Sequence, residues 1–322
     1  LRTLTRALCL AALLAVAGDA ARGQEYPLRP VRAIGASSAG GISDIFMRVL
    51  GEELHKRLGQ PIIVENRPGG NFNIAARACV EAPPDGYTVC ILPGETVSYN
   101  QFLFKNIGYD PDKDLAPITN LFFLTQVMAV SAKLEAKTLA ELAALSKAKP
   151  GTLSYTAPAL SQAVFVEKFK QDMGADLVRV PFKGGGEAIT GMISGATPVV
   201  FLGLGNVISH LREGLARGLV VDSEQRSPLF PDIPTLAQVG YGGDVTRSYF
   251  GLFAPPGTPA PVIARLQAEI AGIVREQGFG DKHLVQRGLE PAVNTPGEFA
   301  AFIRRDRQAA ERVVRQSGLV SQ

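Results

Sequence analysis

The sequence predicts an α/β chain built from two strand–loop–helix domains, on three observations. Short apolar runs alternate with amphipathic segments at the spacing of parallel β–α–β units. The alternation breaks at residues 117–131, a long apolar run without glycine, and then restarts. In both halves, loops of small residues stand between a strand and the helix that follows it. With 322 residues the chain is long enough for two cores, and 46% hydrophobic against 20% charged residues describes a folded protein rather than a disordered one. A formal charge of +3, with no basic run interleaved with aromatics, argues against a nucleic-acid partner.

Residues 1–23 read as a secretory signal peptide and are set aside before any fold reasoning. Arg2 and Arg6 precede the apolar segment Ala7 to Ala17, which is too short to span a bilayer, and Ala21 and Gly23 offer a cleavage site. The mature chain is then nearly neutral, and the expected location is the periplasm. Cys79 and Cys90 are an even pair in an exported chain, which permits a disulfide. The reading adopted is nevertheless two buried thiols, one on a helix and one on a strand, because sequence does not show the Cα separation a bridge requires. No nearby histidine or second cysteine pair supports zinc, and no cofactor is expected.

The first unit runs from a strand at Val31 to Ile34 through Gly35-Ala36-Ser37-Ser38-Ala39-Gly40-Gly41-Ile42-Ser43-Asp44 into a helix. There Ile45, Phe46, Val49, Leu50, Leu54 and Leu58 recur at helical spacing. The first N–H groups of that helix lack intrahelical partners and its dipole presents a positive end, so an anion can sit there. Gly40 and Gly41 allow close backbone approach, and Ser37, Ser38 and Ser43 add hydroxyl donors. Ser43 or Asp44 as a simple helix cap explains the same residues without a ligand. A strand at Pro61 to Glu65, a loop from Asn66 to Gly70, a helix at Asn73 to Glu81 and a strand at Tyr87 to Leu92 follow. Parallel pairing puts Ser37 to Gly41 and Asn66 to Gly70 on one rim, where such sheets bind ligands.

Residues 93–116 read as irregular. Pro117 to Ser131 then suits a strand leaving one domain for another, and Ser248 to Ala254 suits the return, which together make a two-strand hinge. Between them, Thr138 and Glu141 form a capping box for a helix at Leu139 to Ala148. Strands at Leu153 to Thr156, Leu177 to Pro181 and Val199 to Leu202 lead through small-residue loops to helices at Gln162 to Met173, Glu187 to Ile193 and Asn206 to Arg212. Beyond the return, helices are expected up to about Glu276, over 281–287, and from Thr295, Pro296 and Glu298 to about Gln316.

Catalytic motifs are missing: no G-x-S-x-G, H-E-x-x-H, C-x-x-C or Walker-type loop occurs. Gly203-Leu204-Gly205 begins a dinucleotide fingerprint, but Ile208 takes the place of its third glycine. The three histidines are widely separated, and Lys183, between a strand and three glycines, is the best-placed cation.

The residues resemble the substrate-binding receptors of tripartite tricarboxylate transporters, the Bug-type receptors, over nearly the whole mature length. The resemblance rests on Ala39-Gly40-Gly41-Ile42-Ser43-Asp44 with Arg48, Val64-Glu65-Asn66-Arg67-Pro68-Gly69, Pro84-Asp85-Gly86-Tyr87-Thr88 and Tyr109-Asp110-Pro111. Pro150-Gly151, Val180-Pro181-Phe182-Lys183-Gly184, Asp232-Ile233-Pro234-Thr235 and Ala254-Pro255-Pro256-Gly257-Thr258-Pro259 complete it. It implies a two-lobed periplasmic binding protein fold of the venus-flytrap, type II-like kind, with two parallel or mixed sheets. Lobe 1 would comprise 24–124 and 252–322 and lobe 2 125–251, with the place of the C-terminal helix 296–316 left open.

The resemblance further implies a monomer that closes on a small carboxylated solute and delivers it to membrane permease subunits. The solute would meet Ser37, Ser38, Ala39, Gly40, Gly41 and Ser43, with Asp44 organising the loop, and the second-lobe loop Ala157 to Ser161, chiefly Ala157, Ala159 and Ser161. Asn66, Lys183, Gly184, Gly203 and Tyr249 are further candidates on the cleft wall. This chain departs from the family in the Ala157 to Gln162 stretch, where a glycine- and serine-rich loop followed by a histidine is usual but Pro158 and Leu160 stand and no histidine follows, and at Phe72, where glycine is usual. A smaller, more apolar or more weakly held ligand is the expectation, with Phe72 stacking on a ring or filling the cleft. Two other readings are carried: the same receptor presenting its ligand to a sensor protein, and an exported α/β enzyme, whose best makeshift pair is Ser161 with a distant His210.

Overall fold

The structure, a computed structural model, describes residues 26–182, 185–241 and 247–317. The segment read as a signal peptide, and Lys183 and Gly184, lie outside the described residues. The chain opens with β1 (Val31–Gly35), α1 (Ile42–Leu58), β2 (Ile62–Asn66), α2 (Asn73–Val80) and β3 (Thr88–Pro93). β1 lies between β2 and β3 and runs parallel to both, with Val31 opposite Ile62 and Arg32 opposite Thr88. Phe46, Met47, Leu50 and Leu54 of α1 are buried at helical spacing against Val31, Ala33 and Ile91 of the sheet. Gly59, in the left-handed region at φ +73°, ends the helix.

Past β3 the chain forms a π-turn, Glu95–Tyr99, and the short α3 (Asn100–Leu103), in a stretch that the sequence predicts to be irregular. A turn closed by i→i+5 bonds carries no 3.6-residue pattern to read. The apolar run at 117–131 is two strands, β4 (Ala116–Leu124) and β5 (Gln126–Ser131), which belong to different sheets and part at Thr125.

The second set of elements is α4 (Leu139–Ala148), β6 (Ser154–Thr156), α5 (Leu160–Met173), β7 (Val178–Arg179), α6 (Gly185–Ser194), β8 (Val199–Gly203), α7 (Ile208–Arg212) and β9 (Ala216–Val221). Thr138 Oγ1 accepts from the Glu141 N–H at 3.1 Å, so α4 starts where its capping pair predicts. Strand β9 is an addition to the sequence reading. Arg217 and Gly218 interrupt its apolar pattern, and a Cβ at Gly218 would stand 2.3 Å from Ile233 Cδ1, so a larger residue there would displace that side chain.

The return comprises β10 (Tyr249–Ala254), α8 (Ala260–Arg275), α9 (Gln277–His283), β11 (Leu289–Pro291) and α10 (Pro296–Ser317). The helix expected over 281–287 begins earlier, at Gln277, and ends at His283. The two sheets have the orders β11-β4-β10-β3-β1-β2 and β7-β6-β8-β5-β9. β10 is antiparallel to both β3 and β4, and β5 is antiparallel to both β8 and β9. Each sheet carries its own apolar core, so the molecule has two lobes connected at Thr125 and ahead of Tyr249.

Helix α10 straddles them. Phe299 and Ile303 pack with Tyr249 and Phe253 in the first lobe. Ala310, Val313 and Val314 join Tyr99, Leu103 and Val164, the last on α5 of the second lobe.

Cys79 on α2 and Cys90 on β3 form a disulfide with Cα atoms 6.0 Å apart, which corrects the reading of two separate thiols. The packing of α2 against the strand that follows it brings the two positions face to face. A sequence separation of 11 does not announce that proximity.

Candidate functional site

At the first lobe's rim, the β1–α1 loop is held by one carboxylate. Asp44 Oδ2 accepts from the Gly40 N–H at 2.9 Å, and Oδ1 accepts from Arg48 Nε and Asn66 Nδ2, each at 2.9 Å. These bonds, the one from Arg48 foremost, hold Asp44 down at about 2 despite its burial. Ser43 is buried, and its Oγ accepts from the Ser37 N–H at 3.2 Å. Gly40 sits at φ +79°, a conformation that suits glycine.

The network reassigns the donors expected of this loop. The Gly40 amide is taken by Asp44, and the Gly41 amide donates to Ser38 O at 2.9 Å. No acceptor among the described residues takes the amides of Ser38, Ala39, Ile42 or Ser43, and Ser38 and Ala39 are exposed. Asn66 acts as a brace for Asp44.

The second-lobe loop uses its polar groups differently. The Ala159 N–H donates to Gln162 Oε1 at 3.0 Å, and Gln162 Nε2 donates to Gln126 Oε1 at 2.8 Å. Ser161 Oγ donates to Glu95 Oε1 at 2.6 Å, from the second lobe to the π-turn of the first. Gln126, just past the crossing, donates its N–H to Asp222 Oδ1 at 2.7 Å. Leu160 packs with Tyr99 and Val313 in the cluster under α10, which accounts for an apolar residue in this loop.

These groups enclose a cavity of about 20 Å³ lined by Glu95, Ser161, Gln162, Asp222, Arg247 and Asp306, among others. That space suits a water-sized group. Glu95, Asp222 and Asp306 are each 7% exposed; burial raises Glu95 above its ordinary range and lifts Asp222 and Asp306 to about 7. Gly40 lines a separate gap of about 360 Å³ opposite Gly205 and Ile208 of the second lobe, and Gly203 with Ile42 lines another of about 320 Å³.

The profile of the tripartite tricarboxylate transporter family receptor matches residues 46–319. The chain belongs to this receptor family. Protein BugT of Bordetella pertussis is 32% identical over 310 residues, 95% of each chain. Among solved structures, the R. palustris protein Rpa4515 with adipate has a TM-score of 0.83 at 27% identity, covering 92% of this chain and 100% of its own. MatC from Rhodopseudomonas palustris with bound malate has a TM-score of 0.75 at 28% identity, covering 90% and 100%. The fold is that of a two-lobed periplasmic binding protein, and the molecule is a solute receptor of the tripartite transporter class.

The receptor's remaining expected site residues are dispersed. Tyr249 is not on the cleft wall: it is buried beneath Gly94, edge-on to Phe123, Phe299 and Phe302. Ala157 is buried in the second core. Phe72, at φ +72°, is partly buried and packs on the first lobe's apolar cluster. The makeshift catalytic pair is not assembled, since Ser161 faces Glu95 while the His210 ring lies 3.3 Å from Ser209 Oγ on α7.

Sequence reasoning missed Glu95, Gln126, Asp222 and Asp306. Gln126 and Glu95 border apolar strands, and that was the available signal, since a polar group in such a setting requires a partner; Asp222 opens a polar stretch and Asp306 lies among arginines, so neither stood out.

Proposed function

We propose that this receptor captures a small carboxylated metabolite between its lobes in the periplasm and hands it to membrane permease subunits, without chemical turnover. The observation that carries this reading is the β1–α1 loop, where the amides of exposed Ser38 and Ala39, just ahead of the helix start, have no acceptor among the described residues and Asp44 holds the loop in place. The adipate and malate in the two related structures support a carboxylate as ligand class. We assign ligand contact to Ser37, Ser38, Ala39, Gly40, Gly41 and Ser43 on one side and to the Ala159 to Ser161 loop on the other. We put the lobe boundaries at 124/125 and just ahead of Tyr249 rather than at 251/252, because β10 pairs along its whole length in the first sheet, and the mature receptor, freed of residues 1–23, acts as a monomer.

The test is a thermal-shift panel of mono-, di- and tricarboxylates on the mature protein. A ligand at a hundredfold excess over its Kd should stabilise the receptor by about 2.7 kcal/mol. No shift with any carboxylate would overturn the ligand class. Recovery of the permease subunits or of a sensor protein with the ligand-bound receptor decides which partner receives it.

A further inference from the structure

We propose that the backbone contact between Gly205 of the second lobe and the Arg287–Gly288 turn of the first is the receptor's closure stop. It fixes how near the lobes come, and with that the width of the gap that Gly40 borders. The inference rests on capture of a solute between the lobes, proposed above, and adds what limits their approach.

The chain brings these residues together beside the crossing. Gly203 on β8 stands opposite Gln126, and Leu289 on β11 stands opposite Leu124, so Thr125 alone separates the two strand pairs. The Leu204 N–H donates to Thr125 O at 2.7 Å, which ties the turn after β8 to the crossing itself. Leu204 is buried in a core of the second lobe. Leu284 and Leu289 flank the Arg287–Gly288 turn and are buried in the first lobe's core, and Gly288 takes φ +72°. Each turn is therefore held by its own lobe.

The approach is closer than side chains allow. A Cβ on Gly205 would stand 2.6 Å from the Arg287 carbonyl oxygen, and one on Gly288 would stand 3.0 Å from the Gly205 nitrogen and 3.3 Å from Leu204 Cβ. The first distance is far inside van der Waals contact, and the atom met is backbone, which has no rotamer to escape into. Two gaps border the contact, one of about 360 Å³ lined by Gly40, Gly205, Ile208 and Arg287 and one of about 290 Å³ lined by Thr125, Ser223 and Gly288. The bond from Ser161 to Glu95 joins the lobes through side chains that can rotate, whereas a carbonyl against a glycine cannot give way. So close to the crossing, a shift of a fraction of an ångström is magnified at the rim.

The experiment places nitroxide labels at Glu52→Cys and Glu213→Cys, exposed on the first and second lobes of the mature receptor, and measures their separation by pulsed electron spin resonance without solute. Cys79 and Cys90 are bridged and take no label. Gly205→Ala wedges the contact from the second lobe. Gly288→Asn wedges it from the first, with a residue that tolerates positive φ. In either variant the short edge of the distance distribution should move outward, whereas Arg287→Ala, which keeps the carbonyl, should leave it in place.

A short edge that stays at its wild-type position in a folded wedge variant would overturn the stop, as would an equal shift in Arg287→Ala. Wild type alone can also overturn it, by populating separations of these two sites shorter than the structure has. Because no solute is used, each of these results leaves the carboxylate reading standing, and failure of every carboxylate in the thermal-shift panel would leave the stop standing.

Discussion

The two loops that open onto the lobe seam begin helices in similar positions, yet they handle their polar groups in opposite ways. In the β1–α1 loop, one buried carboxylate gathers Gly40, Arg48 and Asn66, while Ser38 and Ala39 are exposed and no acceptor among the described residues takes their amides. In the loop before α5, the Ala159 amide, the Ser161 hydroxyl and the Gln162 side chain are all engaged, two of these three with residues outside their own helix start. The first loop is held in its conformation by a network of its own. The second is part of the contact that holds the lobes together, and a ligand arriving there must compete with Glu95.

The largest effect should come from removing the first loop's anchor. Asp44→Ala leaves the Arg48 guanidinium, the Asn66 amide and the Gly40 N–H without their acceptor, so a loss of about 3 kcal/mol in stability is expected by urea unfolding. Carboxylate affinity should fall with it by more than tenfold. A variant of unchanged affinity would show that the loop's conformation does not depend on Asp44.

Next in size is the disulfide, which ties α2 to β3 within the first lobe. Replacing Cys79 and Cys90 with alanine should cost about 2–3 kcal/mol, as expected for closing a short loop in the unfolded chain. Because the Glu95 to Ser161 contact lies elsewhere, the ligand preference of the folded variant should not change.

The regions also differ in protonation. Asp44 is held at about 2, so its contribution is complete above its unfolded value near 3.8 and is lost as pH falls toward 2. Asp222 and Asp306 are raised to about 7 by burial. Their folded forms bind protons more tightly than the unfolded chain, so they favour folding below about pH 4 and that advantage is lost as pH rises to 7. The ligand-free receptor should therefore melt higher at pH 5 than at pH 8. Asp306→Asn should flatten the profile, and an unchanged slope would place the proton elsewhere.

The same contrast separates what was legible in the sequence from what was not. The first loop could be read because its signals are local: glycines, serines and an aspartate between a strand and a 3.6-period helix. Thr138 with Glu141 and Thr295 with Glu298 likewise mark helix starts that the structure keeps. The seam could not be read that way. Glu95 lies in a π-turn without periodicity, Asp222 follows a strand disguised by Arg217 and Gly218, and Asp306 faces inward from a helix otherwise rich in surface charge. They meet through the crossing at Thr125 and the reach of α10 across both lobes, and no spacing records that meeting. The disulfide was hidden for the same reason, since it depends on how α2 packs on β3.

The smallest predicted effect bears most directly on whether the second loop is a latch or a ligand surface. Ser161→Ala removes one charge-assisted hydrogen bond between lobes, which is worth about 1 kcal/mol, and leaves Glu95 with one donor fewer. If the bond chiefly holds the lobes together, small-angle scattering of the ligand-free variant should show a larger radius of gyration than wild type. Ligand affinity should then rise slightly, because the solute no longer displaces a protein contact. If Ser161 chiefly serves the ligand, the scattering curve should be unchanged and affinity should fall about fivefold. The second outcome requires the solute to displace the 2.6 Å bond to Glu95, since a hydroxyl has one proton to donate and this one is already engaged.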